Sequence, residues 1–419
     1  MNVHVTKPVP ISFKMVVDAY QRVRRGGKGV GVDGESWDKF DQRLEDNLYV
    51  IWNRLASGTY HPMAVRETEI PKKDGSKRKL GIPTLRDRIA QSVVKDYLEK
   101  RIDHKFHNNS YGYRPLKSSK AAIEEVRKNC GISDWVIDLD ISRFFDEIDQ
   151  ELLMKAVEHM VEEKWVKMYV GRWLAMKTQD TDGLLHDRQG KGTPQGGVIS
   201  PLLANIFLHY ALDKWLEKHY GHISFVRYAD DMIIHCSTKQ EADMLLEAIK
   251  ERLAQVKLRL NEKKTHIVYC KDYRRRQQHQ KVQFDFLGFS YQPRIARSKY
   301  KEGSSFTGFT AEISKDNQKK IREEIKNSVN WRNSRMEITA IADKLNSKLR
   351  GWINYFGTYS KRSLRRTLQQ LDYRLIKWLM VKHKMSGTRM ATAHLRKLMR
   401  ENRIMFFHWT KGYSYVIKK

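Results

Sequence analysis

The feature that most narrows what this chain can be is a Tyr228-Ala229-Asp230-Asp231 tetrapeptide set between two apolar β-type runs, residues 223–226 and 232–234. That setting predicts a hairpin with adjacent carboxylates at its bend. On their own, paired aspartates at a turn commonly do no more than satisfy backbone donors and meet solvent. A second segment changes the weight. In Trp135-Val136-Ile137-Asp138-Leu139-Asp140 a strand is predicted, with Trp135, Ile137 and Leu139 on one face and Val136, Asp138 and Asp140 on the other. A carboxylate thus ends a mostly buried strand. Burial of an unpaired carboxylate costs roughly several kcal/mol, so Asp140 beside Asp230 and Asp231 calls for divalent cations. Hard oxygen ligands of this kind suit Mg²⁺.

Charge points to the partner. Of the formal net charge of +30, +21 falls in residues 291–419, where basic helices are predicted, and a polyanion is the matching ligand. An architectural RNA-binding protein would explain the charge but not the aspartates. Cys130, Cys236 and Cys270 are far apart and odd in number, which supports neither a disulfide framework nor a zinc site and fits a reducing cytosol. The first residues lack a signal pattern and no apolar run reaches the roughly 18 residues of a membrane span. The expectation is a cytoplasmic, nucleoid-associated protein with no membrane partner.

With 419 residues the chain has room for two or three domains. Residues 13–55 read as helical around a Gly-rich break at 26–31. A phosphate-cradling loop is disfavoured there, because no Lys-Ser/Thr follows and no strand precedes. Residues 66–80 alternate like a basic hairpin turning at 73–76. Helices are predicted at 86–100, 120–128, 150–175, 201–217 and 240–256, and a strand at 284–289 closes this apolar unit. Basic amphipathic helices follow at 315–327, 338–355, 364–384 and 392–400.

Nucleotidyl transfer uses two cations, one at the attacking 3′-hydroxyl and one at the leaving pyrophosphate. Asp140 and Asp230 are assigned as principal ligands, Asp231 as a supporting one, and the Ile141 carbonyl as an additional oxygen. Asp138 and Asp146 are the competing candidates. The chain then shows, in order, Ile70-Pro71-Lys72-Lys73-Asp74-Gly75, Arg78-Lys79-Leu80-Gly81-Ile82-Pro83, Arg86-Asp87-Arg88 with Gln91, Ser110-Tyr111-Gly112-Tyr113-Arg114-Pro115, Asp140-Ile141-Ser142-Arg143-Phe144-Phe145-Asp146, Gly192-Thr193-Pro194-Gln195-Gly196-Gly197, Ser200-Pro201-Leu202-Leu203-Ala204-Asn205, the Tyr-Ala-Asp-Asp box, Phe286-Leu287-Gly288-Phe289, and Leu349-Arg350-Gly351-Trp352-Ile353-Asn354-Tyr355-Phe356. Over residues 15–360 this series resembles reverse transcriptases, specifically the nuclease-free type of group II intron-encoded reverse transcriptase and maturase.

The resemblance implies an α+β right-hand polymerase. Fingers and palm, with antiparallel sheet, would occupy 1–290, an α-helical thumb or maturase (X) domain 291–360, and a basic helical DNA-binding segment 361–419. No HNH endonuclease domain is expected, since no cysteine follows Cys270. Two Mg²⁺ ions, with Mn²⁺ as a substitute, would sit on the carboxylates. Arg66, Lys72 and Arg78 would reach the triphosphate of a dNTP, and Gln195 its sugar and the template base. Phe145 would be the gate beneath C2′ that rejects ribonucleotides, with Phe144 in the core. Phe286, Leu287 and Gly288 would form a primer grip or simply a core strand. Arg114, Arg350, Lys361, Arg362, Arg365, Arg366, Lys382, Lys384, Arg396, Lys397 and Arg400 would contact RNA or DNA, while Trp352, Tyr355 and Phe356 are mainly structural. The function implied is an RNA-directed DNA polymerase that copies intron RNA into cDNA and binds the structured intron to assist splicing and mobility. Its partners would be that RNA, an RNA template with a DNA primer, a DNA target and dNTPs. The rival readings are a binding-only maturase and a domesticated relative in phage defence, CRISPR adaptation or repair.

Overall fold

Alternation of apolar residues builds the central sheet. Ser224–Tyr228 and Asp231–Cys236 pair as an antiparallel hairpin, and Trp135–Leu139 pairs antiparallel with the second of these strands, Leu139 opposite Met232. His266–Tyr269 lies at the far edge. Val136, Ile137, Ile233 and Ile234 are all inaccessible, so both faces of the Asp140 strand are dry. Helix Lys239–Gln255 turns Ala242, Leu245, Ile249 and Leu253 inward, the 3–4 spacing of one helical stripe. Thr238 caps it by accepting from the Glu241 N–H.

The computed structural model describes residues 7–27, 29–71, 77–297 and 304–416. It divides the chain into two packed units, Met1–Val126 with Trp135–Ile267, and Arg127–Asp134 with Val268–Lys419. By packing, the division therefore falls near 267, not at the expected 290. The cause is the segment 284–289, which is no single strand closing the first unit. Phe284–Phe286 turns at Leu287-Gly288, both with positive φ, into Phe289–Arg297, which pairs along its length with Ser305–Ile313. This ribbon, which no sequence pattern predicts, belongs to the second unit.

In the first unit, helix Leu85–Ile102 is buried almost all round from Leu85 to Val94. Its polar residues are consumed internally. Asp87 accepts from Tyr60 Oη (2.7 Å), Thr84 Oγ1 (2.7 Å) and the Met63 N–H. Arg88 donates to the carbonyls of Pro83, Gly27 and Gly29, which pins the Gly-rich segment as structure instead of a phosphate loop. Val65–Pro71 and Lys77–Ile82 form the expected hairpin, extended by the short strands Thr178–Gln179 and Leu185–His186.

Two predicted helices are interrupted. Residues 150–175 split into Gln150–Met160 and Lys164–Leu174, and 201–217 into Ser200–Leu208 and Lys214–His219 around a π turn at His209–Asp213. Such turns cluster at functional sites because they re-aim side chains. Here the turn carries Asp213.

The second unit adds helices Lys315–Asn327, Ile338–Phe356, Lys361–Lys382 and Thr388–Glu401. A buried knot ties its C-terminal segment down. Asp372 accepts from Ser414 Oγ (2.7 Å) and the Tyr415 N–H and meets His408 Nε2 at 3.0 Å, and all three of Asp372, His408 and Ser414 are inaccessible. Among the described residues no helix is long and apolar enough to cross a membrane.

Candidate active site

The hairpin register sets the carboxylate geometry. Tyr228 pairs with Asp231, leaving Ala229-Asp230 as a two-residue turn, and Ala229 takes the left-handed φ of +58° that primed hairpin turns require. Leu139 faces Met232, so one further step brings Asp140 opposite Asp231. Three carboxylates thus gather from a strand end and a tight turn.

Each is held by chemistry of its own. Asn261 donates its amide to Asp140 Oδ2 (2.8 Å), Lys264 stands 3.6 Å from Oδ1, and the Asp140 backbone bonds Thr265 Oγ1 and the Asn261 N–H. The turn is secured by Arg227, an inaccessible guanidinium that sequence reasoning missed. It pairs with buried Asp213 (2.7 Å from Nε) and donates to Asn205 Oδ1 and to the Ala229 carbonyl (3.1 Å). The signal available was an Arg inside an apolar strand just before the aspartates. Its partner could not be foreseen, because Asp213 reaches it through the π turn.

Asp231 keeps one open face, yet the protein packed around it withholds solvation, and Asp230 and Asp140 add negative charge. Together these raise its pKa to about 6, with Lys264 acting the other way. Among the described residues no group of three or more His, Cys, Asp or Glu side chains closes around one ion. The donor set nonetheless fits Mg²⁺, which usually takes one or two carboxylates and fills its shell from water and substrate phosphates.

In front of the carboxylates lies a cleft of about 1450 Å³ whose lining includes Asp140, Ile141, Phe145, Asp146, Gln195, Asp230 and Lys264. Phe145 is half-buried on its wall, while Phe144 is buried behind it, edge-on at 5.3 Å and also against Phe207. Gln195 Nε2 donates to Asp146 Oδ1 (2.8 Å), so Asp146 is engaged at the mouth and not among the three carboxylates. Asp138 lies one ladder position inside the sheet, opposite Ile233. The loop after Gln195 must come close to the hairpin. The Gly81 N–H bonds the Gln195 carbonyl at 2.8 Å, and a Cβ on Gly196, at φ +123°, would stand 2.5 Å from the Gly81 carbonyl.

Other expected contacts fall elsewhere. Lys72 and the Arg78 side chain lie outside the described residues. Arg66 sits on the hairpin but not on the cleft wall, where the hairpin instead contributes Lys77, Lys79 and Glu69. Lys79 pairs with Glu67 and Lys77 with Glu69. Arg114 is not a nucleic-acid contact. It is buried with all five N–H groups engaged by the Asp103 carboxylate and the carbonyls of Asp103, His107 and Ser110, which leaves no donor for a phosphate.

Phe286, Leu287 and Gly288 lie in the second unit. There Tyr355 Oη donates to the Leu287 carbonyl (2.9 Å), and Asn317 Nδ2 and the Ser314 N–H to that of Gly288. Phe289 packs on Tyr355, Phe356 and Tyr359, in keeping with a structural part for these aromatics. Lys361, Arg362, Arg365, Arg366, Lys384, Arg396, Lys397 and Arg400 are exposed. Arg365 and Arg396 donate to the carbonyls of Ser414 and Val416, and Arg350 lies over the Phe407 ring. Lys382 departs from the expectation, since its ammonium is tied to Glu337 and the Met336 carbonyl.

Residues 70–291 match the family described as Reverse transcriptase (RNA-dependent DNA polymerase), and residues 318–398 match Group II intron, maturase-specific domain. The chain belongs to the reverse transcriptase family. Within it, the second match places the protein among the group II intron reverse transcriptases and maturases. Protein YkfC of Escherichia coli (strain K12) is 33% identical over 59% of this chain and 74% of its own length. Group II intron-encoded protein LtrA of Lactococcus lactis subsp. cremoris is 28% identical over 87% and 72%. A telomerase structure from Candida albicans with a TWJ fragment of telomeric RNA overlaps 90% of this chain and 68% of its own at a TM-score of 0.47 and 13% identity, too remote to decide anything further.

Proposed function

We propose that the protein is an active RNA-directed DNA polymerase, in which the first unit supplies fingers and palm and the second a thumb and a basic nucleic-acid-binding segment. The observation that carries this is a register whose last pair, Leu139 opposite Met232, stands one residue from both Asp140 and Asp231, with Asp230 at the turn lining the cleft.

Divalent ions held by Asp140, Asp230 and Asp231 would supply Lewis-acid activation of the primer hydroxyl and charge neutralisation at the leaving pyrophosphate. The chain's own residues do the rest. Asn261 and Thr265 fix Asp140, and Arg227 fixes the turn. Gln195, released from Asp146, would meet the sugar and template base. Phe145 fills the space a 2′-hydroxyl needs. The template would be intron RNA, which the exposed basic helices of the second unit would also hold in its splicing-competent fold through backbone contacts. A nascent DNA target strand would serve as primer.

The test is extension of a DNA primer on an RNA template with Mg²⁺ and dNTPs, alongside Asp230→Ala and an rNTP control. Extension that needs Asp230 and rejects rNTPs is expected. Absence of extension by folded, RNA-binding protein would favour the binding-only maturase.

A further inference from the structure

The Tyr111-to-Lys117 segment is left without a role once Arg114 proves structural, and its geometry is unusual. Tyr113 (φ +55°) and Leu116 (φ +61°) both occupy the left-handed region, which bulky residues avoid. The surroundings enforce it. The Tyr111 N–H bonds the Arg227 carbonyl (2.8 Å), Asn205 Nδ2 bonds the Gly112 carbonyl (2.7 Å), and Arg114 is anchored by five hydrogen bonds. Gly112 lies so close to the catalytic turn that a Cβ there would stand 2.4 Å from the Ala229 N.

This rigid frame presents apolar groups to solvent. Tyr113 is 50% exposed, with its ring 6.3 Å from that of Tyr228, and Leu116 is fully exposed. Hydrophobic side chains held outward in strained backbone by an over-determined scaffold mark a ligand contact. Position identifies the ligand. Asp230 lines the nucleotide cleft, but Tyr113 and Tyr228 do not, so this pair of rings flanks the catalytic turn outside the space for the incoming nucleotide, and Leu116 stands exposed three residues further along the same frame. The other reactant that must reach the same carboxylates is the primer 3′ end, paired to its template.

We propose that Tyr113 and Leu116 form a contact surface for the terminal base pairs of the primer–template duplex, packing on sugar and base edges and setting how long the enzyme stays on its substrate. The proposal rests on the polymerase reading. Tyr113 acts as a positioning residue, with no part in the chemistry.

The test uses the full chain and a fluorescein-labelled DNA primer on an RNA template, with anisotropy for affinity and a heparin trap for run length. Wild-type extension comes first, because its absence would undo the polymerase reading and not this one. Given extension, Tyr113→Ala should weaken duplex affinity about tenfold, the scale of one aromatic–base contact, and shorten the run. The KM for dNTP should stay within about twofold, and Tyr113→Phe should restore both properties. Leu116→Asn separates contact from structure. Asn accepts the left-handed conformation better than Leu, so the melting temperature should hold or rise while duplex affinity falls. Wild-type affinity and run length in both Tyr113→Ala and Leu116→Asn would overturn the proposal.

Discussion

The cleft of the first unit and the helices of the second are both rich in cations but use them in opposite ways. Around the cleft five of the seven basic residues that line it have acidic partners, Lys264 with Asp140, Arg259 with Glu147, Lys257 with Asp149, Lys79 with Glu67 and Lys77 with Glu69. On helix Lys361–Lys382, Lys361, Arg362 and Arg366 are exposed and form no ion pair among the described residues. A site for small, charged reactants must hold its groups in place before they arrive. A surface for a long polyanion gains from leaving cations to counterion exchange with phosphates. Net charge therefore locates the exposed cations of the second unit, where a polyanion is proposed to bind, and says little about the reaction centre.

The sharpest break between the regions should come from chemistry. Asp230→Ala is expected to lower primer extension by about a thousandfold or more, since it removes a ligand to ions that supply several kcal/mol of transition-state stabilisation. The same substitution should leave RNA affinity, measured by filter binding, unchanged. Loss of both together would mean that the two units do not divide the work as described.

Next in size is the support behind the turn. Asp213→Ala strands the inaccessible Arg227 charge and should cost about 3–5 kcal/mol in urea unfolding. Combining Asp213→Leu with Arg227→Met should recover much of that stability, because no buried charge remains. Recovery of stability without recovery of extension would show that the pair positions the Ala229 carbonyl as well as filling the core.

Acid should separate the units by where each begins to lose stability. His235, buried in the Asp231–Cys236 strand with neither ring nitrogen hydrogen-bonded, is pushed by burial from 6.5 to about 3. Its folded-state pKa is depressed, so the unfolded chain takes up the proton first. Stability should fall below pH 6.5 at about 1.4 kcal/mol per pH unit until about pH 3, and His235→Leu should remove that slope. Asp272, in the second unit, would be raised by burial, but the Arg275 guanidinium and the N–H groups of Arg274 and Arg275 outweigh this and hold it at about 2. It stabilises above its ordinary value of 3.8 and loses that contribution only as pH falls toward 2. Urea titrations at pH 7, 5 and 3 of the wild type, His235→Leu and Asp272→Asn check both windows.

The smallest effect concerns salt. Replacing Lys361, Arg362 and Arg366 by Gln should lower the slope of log affinity against log salt by about 0.7–0.9 for each phosphate no longer neutralised. Replacing Lys257 and Arg259, which have acidic partners, should leave that slope unchanged.

Much of the site was legible because its signals are local. Asp140 ends a period-two apolar run, Asp230 and Asp231 sit at a hairpin bend, and alternation alone predicts which residues share a face. Phe144 is buried and Phe145 half-buried, and both border the cleft, so burial alone separates the two rings. The misreadings have a common cause. Arg114 and Lys382 look like phosphate ligands in sequence, and their commitment to Asp103 and Glu337 depends on chain crossings that no local pattern records. The strand expected at 284–289 instead turns at Leu287-Gly288 into a longer ribbon, whose partner Ser305–Ile313 lies beyond a further connection that local alternation does not record.

By itself, then, the sequence determined the kinds of element, the placing of carboxylates at a strand end and a bend, and the excess of cations after residue 291, since each follows from side-chain period, turn chemistry or simple charge. Tertiary structure alone decided which charges are spent internally and which face a ligand. That outcome turns on burial and on partners distant in sequence, Arg227 with Asp213 and Asp140 with Asn261, where the cost of desolvation forces pairing that composition cannot reveal.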